Sequence, residues 1–335
     1  MSNSFGIDLG TGNIKIYYSA DDSILNEKNI IAIKNKDTLF AYGDSAFEMY
    51  EKAPGNIHIS YPLTNGVIAD IKNMQTVLKC FIEDLAGSKA AGADYYISVP
   101  TDVTEVEKRS FFDLVKDAGV KARKIMVVEK AIADGLGLDI DVKNSQGVLV
   151  VDIGFATTEI SILSLGGIVL SKLIKTGGQK FDEAIRAAVR KEFNLMIGGK
   201  TAEAVKVSLK ELEDEGLPAV VYGRDIVTGL PVEREIPTQL VDQALKEHFD
   251  IIIDNIKVIL ERTPPELAAD IYRHGIYVTG GSARTNHLGE LISAGTNLKV
   301  NIAENAADSV ACGLARVIND DNYKSVAYSI QGMSK

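Results

Sequence analysis

The chain has no tryptophan and only two cysteines, Cys80 and Cys312, far apart and without a CxxC spacing. A disulfide scaffold and a cysteine-built zinc site are therefore not expected. The four histidines, His58, His248, His274 and His287, are equally scattered. No stretch approaches the roughly 18 apolar residues of a membrane-spanning helix. The start, MSNSFGIDLG, lacks the basic and apolar regions of a secretory signal. Basic blocks are missing too: with a net charge of -10 and a pI near 5.1, the chain has no concentrated positive face for nucleic acid. Neither GxxxxGK[ST] nor a post-strand GxGxxG occurs, which removes the two commonest nucleotide loops. The expected setting is reducing and cytoplasmic.

What is present is apolar substance in a long chain. At 335 residues and 46% hydrophobic content it exceeds the roughly 250 to 300 residues at which one core stops growing, so two domains are expected. Short β-rich runs (FGID, NIKIYY, NIIAIKN, TLFAYG) open the sequence. From residue 73 onward strands and helices alternate, as in an α/β sheet: Val77, Leu78, Phe81, Ile82 and Leu85 mark a helix that Gly87 stops, and DYYISVP reads as a buried strand. In the second half, Phe181, Ile185, Ala188 and Val189 share one helical stripe, and Thr201 is read as the N-cap of the next helix. A hairpin turning at TGLP, a long amphipathic helix over 238–261 and a proline-started helix at TPPEL follow. No low-complexity linker separates the halves, so tight crossings are expected to join them.

One pattern recurs. A constant shift of 144 residues lays Ile7-Asp8-Leu9-Gly10 on Val151-Asp152-Ile153-Gly154 and Ile16 on Ile160. Each copy is an apolar strand ending in Asp-x-Gly, a turn, and a second apolar strand. Duplicated acidic hairpins facing one cleft bring Asp8 and Asp152 to one ligand. Their turns, with a third at 279–282, can aim backbone N–H groups at phosphate, and Thr11, Asn13, Thr157 and Thr158 add side-chain donors. A carboxylate beside phosphate implies a cation between them. Mg²⁺, which keeps its waters and uses one or two carboxylates, suits Asp8 and Asp152. Lys15 adds a point charge.

The whole chain resembles the actin, sugar kinase and heat-shock-chaperone ATPase superfamily, and within it the MreB family of bacterial actins. The resemblance rests on GIDLGTGN, GDSAFEMYEKAPGNI, YPLTNGVIAD, VVDIGFATTEISILSLGGIV, TGGQKFDEAIRAAVRKEFNLMIGGKTAEAVK, TPPELAADIYRHGIYVTGGSA and NIAENAADSVACGLARVI. It implies a duplicated actin-like α/β fold, two domains each on a five-stranded mixed sheet with smaller α+β subdomains around the cleft. The implied boundaries are 1–145 with 308–335 for the first domain (small subdomain about 29–69), and 146–307 for the second (small subdomain about 179–244). It also implies ATP or ADP with Mg²⁺, and a filament made of copies of the chain. Asp8, Thr11, Gly12 and Asn13 match the first phosphate loop; Asp152, Gly154, Thr157 and Thr158 match the second. Gly178, Glu203 and Lys206, with Gly280, Gly281 and Ser282, match positions around the nucleoside. Glu129 and Thr157 match residues that orient the attacking water, with Asp152 a base through the metal shell.

Departures matter. Phe155 and Ala156 stand where the family has two glycines whose missing side chains permit close phosphate approach and unusual backbone angles, so an N–H there is expected to fall short of the γ-phosphate and hydrolysis to slow. Lys130 replaces a proline after Glu129. NIKI is closer to actin and the plasmid-segregating actins. The AGSKAAGADYY loop has a small, polar tip, so membrane contact is expected to be weak or carried by partners, the family's being membrane proteins of cell-wall elongation at the inner face of the plasma membrane. The leading expectation is a cell-shape filament protein. The alternatives are a nucleotide-locked scaffold without turnover, a plasmid-segregating filament, and a non-polymerising chaperone or sugar-kinase relative.

Overall fold

The computed structural model describes residues 3–330. Its frame is a pair of five-stranded sheets with one topology. In the first, the spatial order is Lys124–Glu129, Asp94–Val99, Ser4–Leu9, Asn13–Tyr18, Ser23–Lys28. The second runs Ile302-side first: Val300–Ile302, Ile276–Thr279, Val148–Ile153, Thr158–Ser164, Gly167–Ile174. Each pairs its opening strand antiparallel to a hairpin partner on one side and parallel to a crossover strand on the other. The registers repeat as well: Ile7 faces Ile16 and Asp8 faces Lys15, while Val151 faces Ile160 and Asp152 faces Glu159. The duplication seen as a 144-residue shift is thus a duplication of ladders.

Both opening strands are buried from end to end, Ser4–Leu9 and Val148–Ile153, because helices cover both sheet faces. One core forms around Phe5, Ile7, Tyr95 and Phe111. Another gathers Leu149, Phe181, Leu245 and Ile256, with the helix Thr238–Glu261 laid along it. A third lies between the sheets, where the helices Lys130–Gly137 and Ser309–Asn319 join Val128 of the first sheet to Val150 of the second. These helices cross in backbone contact: a Cβ on Gly137 would lie 1.8 Å from the Ser309 carbonyl oxygen, and one on Gly313 1.8 Å from that of Ala133. This pair is where the two sheets' cores meet.

Two small sheets flank the mouth of the cleft. One consists of Ile31–Lys34, Thr38–Tyr42 and Ile57–Ser60, the other of Leu195–Met196, Ala219–Asp225 and Pro231–Ile236. Thr201 does not cap its helix. That helix starts two residues earlier, Gly199–Glu215, and its cap residue Gly198 has no side chain to offer. The Gly199 N–H instead donates to a Glu51 carboxylate oxygen at 2.8 Å, across the cleft from the first small sheet.

Candidate functional site

The parallel strands of both sheets end at the cleft, the place where open α/β sheets bind ligands. Ser4–Leu9 delivers Asp8 there, Asp94–Val99 delivers Ser98, Val148–Ile153 delivers Asp152, and Ile276–Thr279 leads into Gly280. Between them is a cavity of about 170 Å³. The first hairpin lines it with Asp8, Thr11, Gly12, Asn13 and Lys15, the second with Asp152, Gly154, Phe155, Thr157 and Glu159, and Gly280 and Gly281 close one end. Gly280 is obligatory: its φ is +92°, and a Cβ would lie 2.2 Å from Asp152 Oδ1. The two threonine turns meet over Gly66, whose N–H donates to Thr11 Oγ1 at 3.2 Å and whose Cα faces the Thr157 side chain.

The charges do not mirror each other. Asp8 accepts a hydrogen bond from Ser98 Oγ at 3.1 Å and has Lys15 Nζ at 3.7 Å across its own ladder. Asp152 faces a second acid, Glu159, and takes its cation from elsewhere: Lys130 Nζ lies 2.5 Å from Asp152 Oδ2. Burial pulls the Lys130 ammonium down, but the carboxylates of Asp152, Asp8, Asp134 and Glu159 more than offset it, and the group is held firmly charged. Burial pushes Glu159 up to about 7, against Lys130 and the Thr101 hydrogen bonds that favour its carboxylate. Asp134, also raised by burial and by Asp152, accepts from Ser309 Oγ at 2.6 Å beneath the helix crossing. A divalent ion held through water fits Asp8, whose Oδ2 is beyond hydrogen-bond distance of Lys15. Asp152 is already engaged by an ammonium.

Phe155 divides the cleft. Its ring stacks on Tyr61 of the first domain, centroids 5.8 Å apart, and presses on the opposite phosphate turn so closely that a Cβ on Gly12 would lie 2.8 Å from its Cβ and Cγ. Beyond it lies a second cavity of about 120 Å³, lined by Lys28, Tyr61, Lys200 and Glu203. Neither Phe155 nor Ala156 has a positive φ, so the turn is made with ordinary backbone angles.

The remaining predicted residues lie apart from the main cavity. Glu203 reaches the second one and pairs with Lys28 at 3.5 Å. Lys206 is buried on Asp182 at 2.8 Å, beside the Gly178 carbonyl oxygen. Thr158 Oγ1 donates to the Thr176 carbonyl oxygen, and Ser282 Oγ to that of Gly154, so both brace the second hairpin. Glu129 is tied to Lys108 at 2.8 Å and to the Tyr328 hydroxyl at 2.7 Å, and is not among the cavity's walls. Sequence reasoning missed Ser98, Glu159 and Tyr61. Of these only Glu159 had a visible signal, since the repeat puts it on Lys15.

With this geometry in view, comparison places the chain among known proteins. The family model described as MreB/Mbl protein matches residues 2–325. The cell shape-determining protein Mbl of Bacillus subtilis is 36% identical over 323 residues, covering 95% of this chain and 96% of its own. A crystal structure of MreB5 of Spiroplasma citri bound to ADP superposes with a TM-score of 0.89 at 34% identity, covering 97% of this chain and 98% of that one. The same protein bound to AMPPNP gives 0.88. A chain of the MamK double helical filament, 22% identical, matches in fold with a TM-score of 0.79 over 95% of this chain and 99% of its own. The fold is actin-like, and the chain belongs to the MreB/Mbl protein family.

Proposed function

We propose that this protein binds ATP or ADP in the cleft between its two sheets and assembles with copies of itself into a filament that serves cell shape. One observation carries the reading: two duplicated hairpins, each with an acid, a glycine turn and a threonine, line a single cavity from opposite sides. The nucleotide-bound MreB5 structures, at 34% identity, support it. Thr11 and Thr157 serve as hydroxyl donors to phosphate oxygens, Lys15 as a point charge, and Gly280 and Gly281 as the wall nearest the nucleoside. Mg²⁺ accompanies the nucleotide, held through water by Asp8; when bound it neutralises phosphate charge.

Turnover is slow in this reading. Glu129, the candidate for orienting water, has Oε1 on Lys108 and Tyr328 and Oε2 buried without a hydrogen-bond partner among the described residues, and it stands outside the cavity's walls, while Phe155 fills the space beside the second threonine turn. The same observations favour, as a second reading, a nucleotide-locked scaffold. Assembly follows from the nucleotide if the closed cleft presents ends that fit a neighbour, since a ligand shifts an equilibrium only by its differential affinity for the two states. Partners at the membrane, proteins of cell-wall elongation, belong to this proposal by family alone, as does a position at the inner face of the plasma membrane. Among the described residues no helix is long and apolar enough to cross a membrane.

Calorimetry with ATP and Mg²⁺, followed by light scattering and electron microscopy, tests both halves. Saturable binding and ATP-dependent polymers are expected. No binding heat defeats the nucleotide reading, and binding without polymers at high protein concentration defeats the filament reading. Phosphate release measured on the same samples separates slow turnover from none.

A further inference from the structure

Lys15 and Glu159 occupy one position of the repeat: Lys15 faces Asp8, and Glu159 faces Asp152. The first hairpin therefore carries its own cation, while the second carries two carboxylates, both nearly sealed from solvent, Asp152 at 5% exposure and Glu159 at 4%. Neighbouring buried carboxylates need a positive charge close by to stay ionised, and even beside one Glu159 is pushed up to about 7 by burial. That charge comes from the start of the helix Lys130–Gly137. The Lys130 ammonium sits on Asp152 at 2.5 Å, and the side chain, 19% exposed, forms part of the cavity wall. An ammonium has three donors. Among the described residues Asp152 is the one acid within ion-pair distance of Nζ, which leaves donors free toward the cavity. Lys15 stands on the opposite wall.

We infer that Lys130 is a protein-borne cation of the phosphate site, which with Lys15 brackets the phosphates of a nucleoside diphosphate or triphosphate and takes over part of the neutralisation that a divalent ion otherwise supplies. The inference rests on the nucleotide reading above and adds a residue and a consequence to it. Binding becomes only weakly dependent on divalent metal. The Asp152 wall holds its phosphates without one, and a metal ion remains useful on the Asp8 wall.

The test is the affinity for ADP, measured by calorimetry in Mg²⁺ and again in EDTA. For the unaltered protein, removing the metal is expected to raise Kd by less than about tenfold. Lys130→Met is expected to raise Kd in EDTA by about 10- to 100-fold, the worth of a charge-assisted hydrogen bond, and to bring back a strong metal requirement. Lys130→Arg keeps the charge and is expected to bind within a few-fold of the original. Lys130→Met binding ADP in EDTA as tightly as the original protein overturns the inference. Should that variant fail to fold, as a urea melt reveals, the unaltered protein decides alone: a Kd more than about 100-fold weaker in EDTA overturns it. That outcome leaves the nucleotide reading standing, whereas no ADP binding in either buffer removes both.

Discussion

Phe155 shows how one side chain changes a site whose backbone is ordinary. In sequence it reads as a lost glycine, a defect of backbone angle that keeps an N–H from reaching phosphate. In the structure its φ is unexceptional, and its effect is to occupy space between Gly12 and Tyr61 and split the cleft into cavities of about 170 and 120 Å³. A nucleotide long enough to reach from the threonine turns to Glu203 has to move the ring off Tyr61. Such a stack is worth about 0.5 to 1.5 kcal/mol. Phe155→Gly with Ala156→Gly is therefore expected to bind ATP roughly 2- to 10-fold more tightly by calorimetry. An unchanged or weaker Kd contradicts the partition. Asp8, Asp152 and the threonines were legible because a repeated Asp-x-Gly between apolar strands is a local pattern. The partners of Glu129, Lys130 and Lys206 were not, since Tyr328, Asp152 and Asp182 are brought to them by folding at long range.

At the scale of elements, legibility followed amphipathicity. The helix Thr238–Glu261 has the bounds its spacing predicts, because 24 residues keep one apolar stripe against the core. The strand Ser23–Lys28 gave no such signal: it is a sheet edge, half-buried along most of its length, with Asn26, Glu27 and Lys28 at its end. The helices Lys130–Gly137 and Ser309–Asn319 were hard to delimit for another reason. They are short, 8 and 11 residues, and interrupted by glycine, so the apolar stripe each carries spans too few turns to stand out as a helical period. That glycine is functional in packing terms, since Gly313 lies against the backbone of Ala133 and has no flexible neighbour to yield. Gly313→Ala gains helix propensity of about 1 kcal/mol but forces the crossing apart, an overpacking cost of about 1 to 3 kcal/mol or more. A net loss of stability in urea denaturation is expected. A variant as stable as the original would mean that the helices separate freely.

For the whole molecule, the crossing helices and the mouth of the cleft are opposite ends of one device. The core between the sheets, with Val128, Val150, Leu314 and Val317, joins the domains at the base. At the mouth they are joined by a polar latch: Lys28 to Glu203 at 3.5 Å, Arg186 to Glu51 at 3.8 Å, Lys200 over the Phe47 ring at 4.3 Å, and Glu51 on the Gly199 N–H at 2.8 Å. The last of these is the strongest link in physical terms, because it supplies the carboxylate that the start of Gly199–Glu215 lacks on its own chain segment. An N-cap is worth about 1 kcal/mol, and this one exists only while the cleft is closed. Glu51→Ala therefore acts on the open–closed equilibrium, shifting it toward open by a factor of about five. Release of a fluorescent ADP analogue, followed by stopped flow, is expected to quicken by about that factor. The base of the cleft is untouched, so the urea midpoint should fall by no more than the cap itself is worth. An unchanged release rate would mean that nucleotide leaves without the mouth opening, and that the latch holds the small subdomains together for some purpose other than guarding the cleft.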